Sequence, residues 1–133
     1  MRILTWNCQG AFRKKAERIL SFEPDIAVIQ ECESPETLDF PSQVKQPQQA
    51  LWFGDDPNKG LGVFAYRDWE LQTAPCYDLP IRHCVPVQVN TQNPFNLVAV
   101  WTKGPGEQDP QGYIGHALQA TIAYEIFFSE CDT

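Results

Sequence analysis

No two cysteines in this sequence stand at the C-x-x-C spacing of a zinc ribbon or a redox motif, and the five present (Cys8, Cys32, Cys76, Cys84 and Cys131) are odd in number. Neither a structural zinc site nor a fully paired disulfide framework is expected. Long apolar runs are missing too. The opening residues, MRILTWNC, suggest neither a signal peptide nor a membrane anchor, so reduced thiols in a cytoplasmic protein follow. Excess positive charge is also lacking: ten Lys and Arg face seventeen Asp and Glu, for a net charge of -7. Such a chain does not attract polyphosphate by its overall field, as sequence-general nucleic-acid binders do. A phosphoester substrate would need local basic residues or a metal ion to offset that charge. Gly60-Leu61-Gly62 lacks the third glycine of a dinucleotide loop and leads into a strand. No internal repeat or low-complexity tract is visible.

What is present is an α/β pattern in 133 residues, the length of one modest domain. Residues 2–7 read as a buried strand. Residues 11–22 switch to helical spacing, with Phe12, Ala16, Ile19 and Leu20 on one face. Glu23-Pro24-Asp25 turns the chain into a second strand at 26–31, completing a strand–helix–strand unit of parallel-crossover size. Residues 32–48 read as an irregular loop. Residues 49–54 and 60–66 form an antiparallel hairpin, and 69–73 a further short strand. Val85 to Val89 alternates, and its Pro86 predicts an edge strand or a strand start. Phe95 to Thr102 is an apolar strand, and 113–129 reads as one long helix with a wide apolar surface.

In sheets with parallel crossovers, sites form at the carboxyl ends of the strands. The first strand ends at Asn7 and the second at Gln30-Glu31, and parallel strands point these ends the same way. An amide and a carboxylate are hard oxygen donors that suit Mg²⁺ or Mn²⁺. The spacing alone also fits an Asn7 that caps the helix or stabilises a turn and a Glu31 paired with a lysine. Arg13, Lys14, Lys15 and Arg18 cluster in the early helix, where the macrodipole disfavours cations, directly after this loop. They are either a phosphate-attracting group, with Lys14 and Arg18 foremost, or a solvated face. His83-Cys84 is not a nucleophile–base arrangement, and His116 reads as a surface or packed side chain.

Thr5-Trp6-Asn7-Cys8-Gln9-Gly10, Asp25-Ile26-Ala27-Val28-Ile29-Gln30-Glu31, Lys59-Gly60-Leu61-Gly62-Val63-Phe64 and the strand Phe95 to Trp101 occur in an order and spacing that resembles the endonuclease/exonuclease/phosphatase superfamily. The resemblance implies a DNase I-like four-layer α/β sandwich. Residues 1–133 would make up roughly its N-terminal half, one mixed β-sheet with flanking helices. It implies Mg²⁺- or Mn²⁺-dependent hydrolysis of phosphoesters, nucleic acid among them. Glu31 would be the metal ligand, and Asn7 a catalytic residue that also contacts phosphate. Gln9 stands where many DNA-processing members carry Asp, and Trp101 where many carry Tyr, so abasic-site repair fits poorly. Trp101 itself and Tyr113, which follows, become candidate substrate contacts. The family's later Gly-Asp-[Phe/Leu]-Asn and Ser-Asp-His segments do not occur, so the 133 residues alone are expected to be inactive and to self-associate through an exposed sheet face. The competing expectation is a non-catalytic module that binds nucleotide, nucleic acid or a partner.

Overall fold

A computed structural model describes residues 1–77, 81, 83–102 and 112–129, which divide into two compact units, Met1–Leu71 and Gln72–Thr133. Cys131 lies outside the described residues. The first unit holds β1 (Ile3–Asn7), α1 (Phe12–Leu20), β2 (Ile26–Cys32), β3 (Gln49–Asp56) and β4 (Lys59–Ala65), with its sheet ordered β1-β2-β4-β3. β1 and β2 pair in parallel from Ile3↔Ile26 to Asn7↔Gln30, and the other pairs are antiparallel. The sheet is therefore mixed. An interior strand buries both of its faces, which is why Ile26-Ala27-Val28-Ile29 is continuously apolar and buried.

α1 buries Phe12, Ala16 and Ile19 in a cluster with Ala27, Ile29 and Phe64, the stripe that its spacing predicts. The Phe12 ring meets Phe64 and Phe40 at centroid distances of 5.5 and 5.6 Å. The helix is shorter than expected at both ends. Ala11 is left-handed with no side-chain cap, and at the other end the Ser21 N–H donates to the Glu17 carbonyl and the Phe22 N–H to the Ile19 carbonyl.

The other sheet has the order β5-β6-β7, from β5 (Glu70–Thr73), which crosses the boundary between the units at Leu71, and β6 (Cys84–Asn90) and β7 (Phe95–Val100) of the second unit. The strands expected in one sheet thus fall into two. Pro86 is not on an edge strand, since β6 is the middle one. The Pro86 carbonyl accepts the N–H of Ala74, just past the end of β5 at 2.8 Å. A strand residue points its N–H and C=O the same way, so the donor that proline lacks would face the place where that short strand stops. The long helix is also two, α2 (Gly112–Ala123) and α3 (Glu125–Ser129). Thr121 donates its hydroxyl back to the Ala117 carbonyl at 3.0 Å, a bond that bends helices. Tyr124, at the break, is turned into a core with Ala120 and Phe127. Most large exposed apolar side chains lie on these helices, among them Ile114, Leu118, Ile122 and Ile126, rather than on a sheet face. No helix among the described residues is long and apolar enough to cross a membrane.

Candidate active site at the carboxyl ends of two parallel strands

The ends of β1 and β2 are the most conformationally unusual part of the first unit. The register of β2 against β4 steps from Gln30↔Leu61 to Cys32↔Gly60, which leaves Glu31 as an extra residue with φ 61. Bulges of this kind re-aim a side chain, and left-handed backbone costs a non-glycine residue about 1–2 kcal/mol. Across the gap, Gln9, Gly10 and Ala11 take φ values of 55, 82 and 53 in succession. The strain is held by bonds between the two strand ends. Cys8 N–H donates to the Gln30 carbonyl and Gly10 N–H to the Glu31 carbonyl, both at 3.0 Å. Lys15 Nζ closes the loop from α1, donating to the carbonyls of Cys8 and Gly10. The Cys8 thiol lies 3.3 Å from the Glu31 carbonyl. Burial pushes that thiol up, and pushes Cys32 up to about 12, so both stay neutral and serve packing, not nucleophilic chemistry.

This backbone brings the two candidate residues into contact. Asn7 Nδ2 donates to Glu31 Oε1 at 3.2 Å, and Asn7 Oδ1 accepts the Gln9 N–H at 3.1 Å. The second Glu31 oxygen, Oε2, is 3.2 Å from Lys59 Nζ. Lys59 belongs to the glycine segment singled out in the sequence; a lysine partner for Glu31 was the alternative that the spacing left open, and Lys59 is that lysine. Its place depends on the β3–β4 register, in which Asp56↔Lys59 closes a two-residue turn, and on the β2–β4 register, which sets Gly60 opposite Cys32. Gly60 must be glycine, because a Cβ there would lie 2.3 Å from the Trp52 indole.

The basic helix divides into two pairs. Arg13 is engaged with Glu33 Oε1 at 2.5 Å, and Lys15 holds the loop. Lys14 and Arg18 are exposed, one turn apart on the same face. Glu33 is a residue the sequence reading missed. Its side chain is 4% exposed, and Oε2 accepts the Phe12 N–H at 2.8 Å. It caps α1 from a distance, which supplies the acidic group that neither Ala11 nor the first turn has. Because 32–48 reads as an irregular loop, nothing in the sequence pairs Glu33 with a helix start.

Trp101 and Tyr113 belong to the second unit, whereas the Asn7–Glu31 geometry is set within the first. Trp101 is only 5% exposed, and its ring lies 4.8 Å from that of His83. Base stacking would need an exposed ring face. Tyr113 is 59% exposed on α2, and His116 is half-buried there. A cavity of about 630 Å³, lined by Arg2, Asp25, Lys45, Tyr66 and Arg67, opens at the opposite, amino ends of β1 and β2. Asp25 there pairs with Arg67 at 2.5 Å and accepts the Arg2 backbone N–H at 2.6 Å. Volume and chemistry therefore point to different ends of the sheet, and the strained, bulged end is the better candidate.

Among the described residues no three His, Cys, Asp or Glu side chains converge on a point. Mg²⁺, however, is commonly held by one or two carboxylates, with waters and substrate oxygens completing six. Glu31 offers one carboxylate for such a shell, while the Asn7 amide turns Nδ2 to Glu31 and its Oδ1 to the Gln9 N–H.

No protein-family profile matches the sequence, and no curated protein does. Among solved structures, the endonuclease domain of TRAS1, a telomere-specific non-LTR retrotransposon, matches 95% of the chain at 17% identity with a TM-score of 0.61. The 3'-5' exonuclease NExo from Neisseria meningitidis matches 96% at 20% identity with a TM-score of 0.59. The fold is DNase I-like. The chain spans about half the length of these structures, 54% of the first and 51% of the second. Both are nucleases of this fold, so the sequence resemblance and the three-dimensional likeness agree on the architecture.

Proposed function

We propose that this chain carries the metal-holding part of a phosphoesterase site, acting with Mg²⁺ or Mn²⁺ on phosphodiesters such as nucleic acid. The observation that carries this reading is the contact of Asn7 with Glu31 at the carboxyl ends of two parallel strands, held by a strained, cross-bonded backbone. Strain that clusters around two polar side chains is costly unless they have work to do. The bound ion would act as Lewis acid and offset charge building on the phosphoryl oxygens. Glu31 is its ligand. Asn7 fixes the carboxylate through Nδ2 and offers an amide to phosphate. Lys14 and Arg18 steer the anion towards a chain that is acidic overall.

The proposal includes the domain. One carboxylate holds Mg²⁺ weakly, and the chain spans about half of the nucleases it matches. The 133 residues are therefore read as part of a DNase I-like domain, inactive alone, with α2 and α3 offering the apolar surface for self-association. A cytoplasmic location with reduced thiols belongs to the same reading. The test is hydrolysis of a generic phosphodiester with Mg²⁺ and Mn²⁺ by the 133-residue chain and by a chain extended to the length of those nucleases. The expected result is EDTA-sensitive turnover by the longer chain only, lost on Glu31→Gln. Undiminished turnover by that variant would overturn the role of Glu31. No turnover by either chain, with nucleotide binding retained, would favour a binding module.

A further inference from the structure

Lys59 is positioned with more care than a surface ion pair requires. Its own ladder partner is Asp56, the next residue is locked opposite Cys32 beneath the Trp52 indole, and the Pro57 carbonyl of its turn accepts the Ser34 N–H at 2.7 Å. The result is an ammonium group 3.2 Å from Glu31 Oε2, on a side chain still 49% exposed. A pair this open adds little to stability, so the fixed backbone is not explained by the bond it makes. The ammonium does occupy a carboxylate oxygen to which a divalent ion would bind, and it supplies the same kind of neutralisation. When a doubly charged ion takes the carboxylate, the lysine is repelled, and its flexible four-carbon stem lets it move to the nearest anion.

We propose that Lys59 is the resident counter-ion of Glu31: it yields the carboxylate to Mg²⁺ and then binds a phosphate oxygen of the ligand held there. This rests on Glu31 being the metal ligand. It assigns a phosphate-binding residue to the β3–β4 turn and a built-in competitor to the metal.

The experiment is an NMR titration of the 133-residue chain, following the Glu31 and Gly60 amides, a method suited to weak affinities. Mg²⁺ is added first, then inorganic phosphate in the presence of Mg²⁺. Lys59→Met should lower the Mg²⁺ dissociation constant at least about threefold at low ionic strength, because one positive charge leaves the site. It should raise that of phosphate by a similar factor, roughly threefold or more. Lys59→Arg should stay within about twofold of wild type for Mg²⁺, since it keeps the charge. An unchanged Mg²⁺ constant in Lys59→Met, or an unchanged phosphate constant, overturns the proposal. Glu31→Gln separates the two readings. If it abolishes the Mg²⁺ response while Lys59→Met behaves as wild type, only the role of Lys59 fails. If it leaves the Mg²⁺ response intact, the reading of Glu31 itself fails.

Discussion

Asn7 and Glu31, 24 residues apart in the chain, meet at 3.2 Å through a single amide–carboxylate hydrogen bond at the ends of adjacent parallel strands. Glu31 reaches that position only because its backbone leaves the ladder at a left-handed bulge. Each keeps a second partner, Lys59 Nζ on Glu31 Oε2 and the Gln9 N–H on Asn7 Oδ1.

Asn7→Ala removes the donor to Glu31 and the acceptor of the Gln9 N–H together. The expected cost is about 1–2 kcal/mol in urea unfolding. Asn7→Asp should behave differently. It sets two carboxylates side by side, which disfavours ionisation of both, and a divalent ion relieves the repulsion. Its melting temperature should be lower than wild type in EDTA and should rise with Mg²⁺ more than that of wild type. Equal responses of the two proteins would argue against a shared cation position.

The left-handed residues near the site and the glycine under Trp52 give opposite expectations for small substitutions. Ala11→Gly relieves left-handed backbone at a helix start and should stabilise by up to about 1 kcal/mol. Gly60→Ala drives a Cβ into the Trp52 ring and should cost roughly 1–3 kcal/mol, with altered tryptophan fluorescence. Equal stability changes on thermal unfolding would contradict this account of the loop.

Asp25 ties the amino ends of the first sheet. The Arg67 guanidinium bonded to its carboxylate, helped by the Arg2 backbone N–H, holds it below its ordinary value despite burial. A depressed folded-state value means that its stabilisation is present above the unfolded value near ~3.9 and is lost as pH falls through the lower folded value. Asp25→Asn should lower stability at pH 7 and flatten the fall of stability below about pH 4. An acid limb as steep as that of wild type would show that other carboxylates control it.

The two halves of the basic helix should separate in salt titrations. Changing Lys14 and Arg18 to Gln should weaken oligonucleotide binding by a chain of full domain length and flatten its salt dependence, with stability within about 0.5 kcal/mol of wild type. Arg13→Ala, which strips the buried Glu33 of its ion partner, should instead cost on the order of 2 kcal/mol of stability. If the double change leaves the salt slope alone, Lys14 and Arg18 are a solvated face.

The strand–helix–strand unit was legible because its signals are local. The apolar run 26–29 and the spacing Phe12, Ala16, Ile19 each reveal burial without knowledge of neighbours. Asn7 and Glu31 were legible as a pair because parallel pairing aligns their strand ends. The bulge that aims Glu31 was not, since it exists only in the register of β2 against β4. Glu33 escaped, and so did which lysine pairs with Glu31, for the same reason: Lys59 and Glu33 each act on a residue more than 20 positions away, through pairing or capping that composition does not encode. Pro86 was misread because proline excludes a ladder position only where its missing donor faces a neighbour. The division of the last helix at Tyr124 is not displayed by helical spacing, which gives 113–129 one continuous apolar surface.

The central proposal is that Glu31, fixed by Asn7, is the ligand of a divalent cation, and paramagnetic broadening by Mn²⁺ tests it most directly. The account predicts that sub-stoichiometric Mn²⁺ selectively broadens the amide signals of residues 7–10, 31–32 and 59–60, and that Glu31→Gln abolishes the effect while the rest of the spectrum is unchanged. Broadening centred elsewhere, or unchanged in Glu31→Gln, would contradict it.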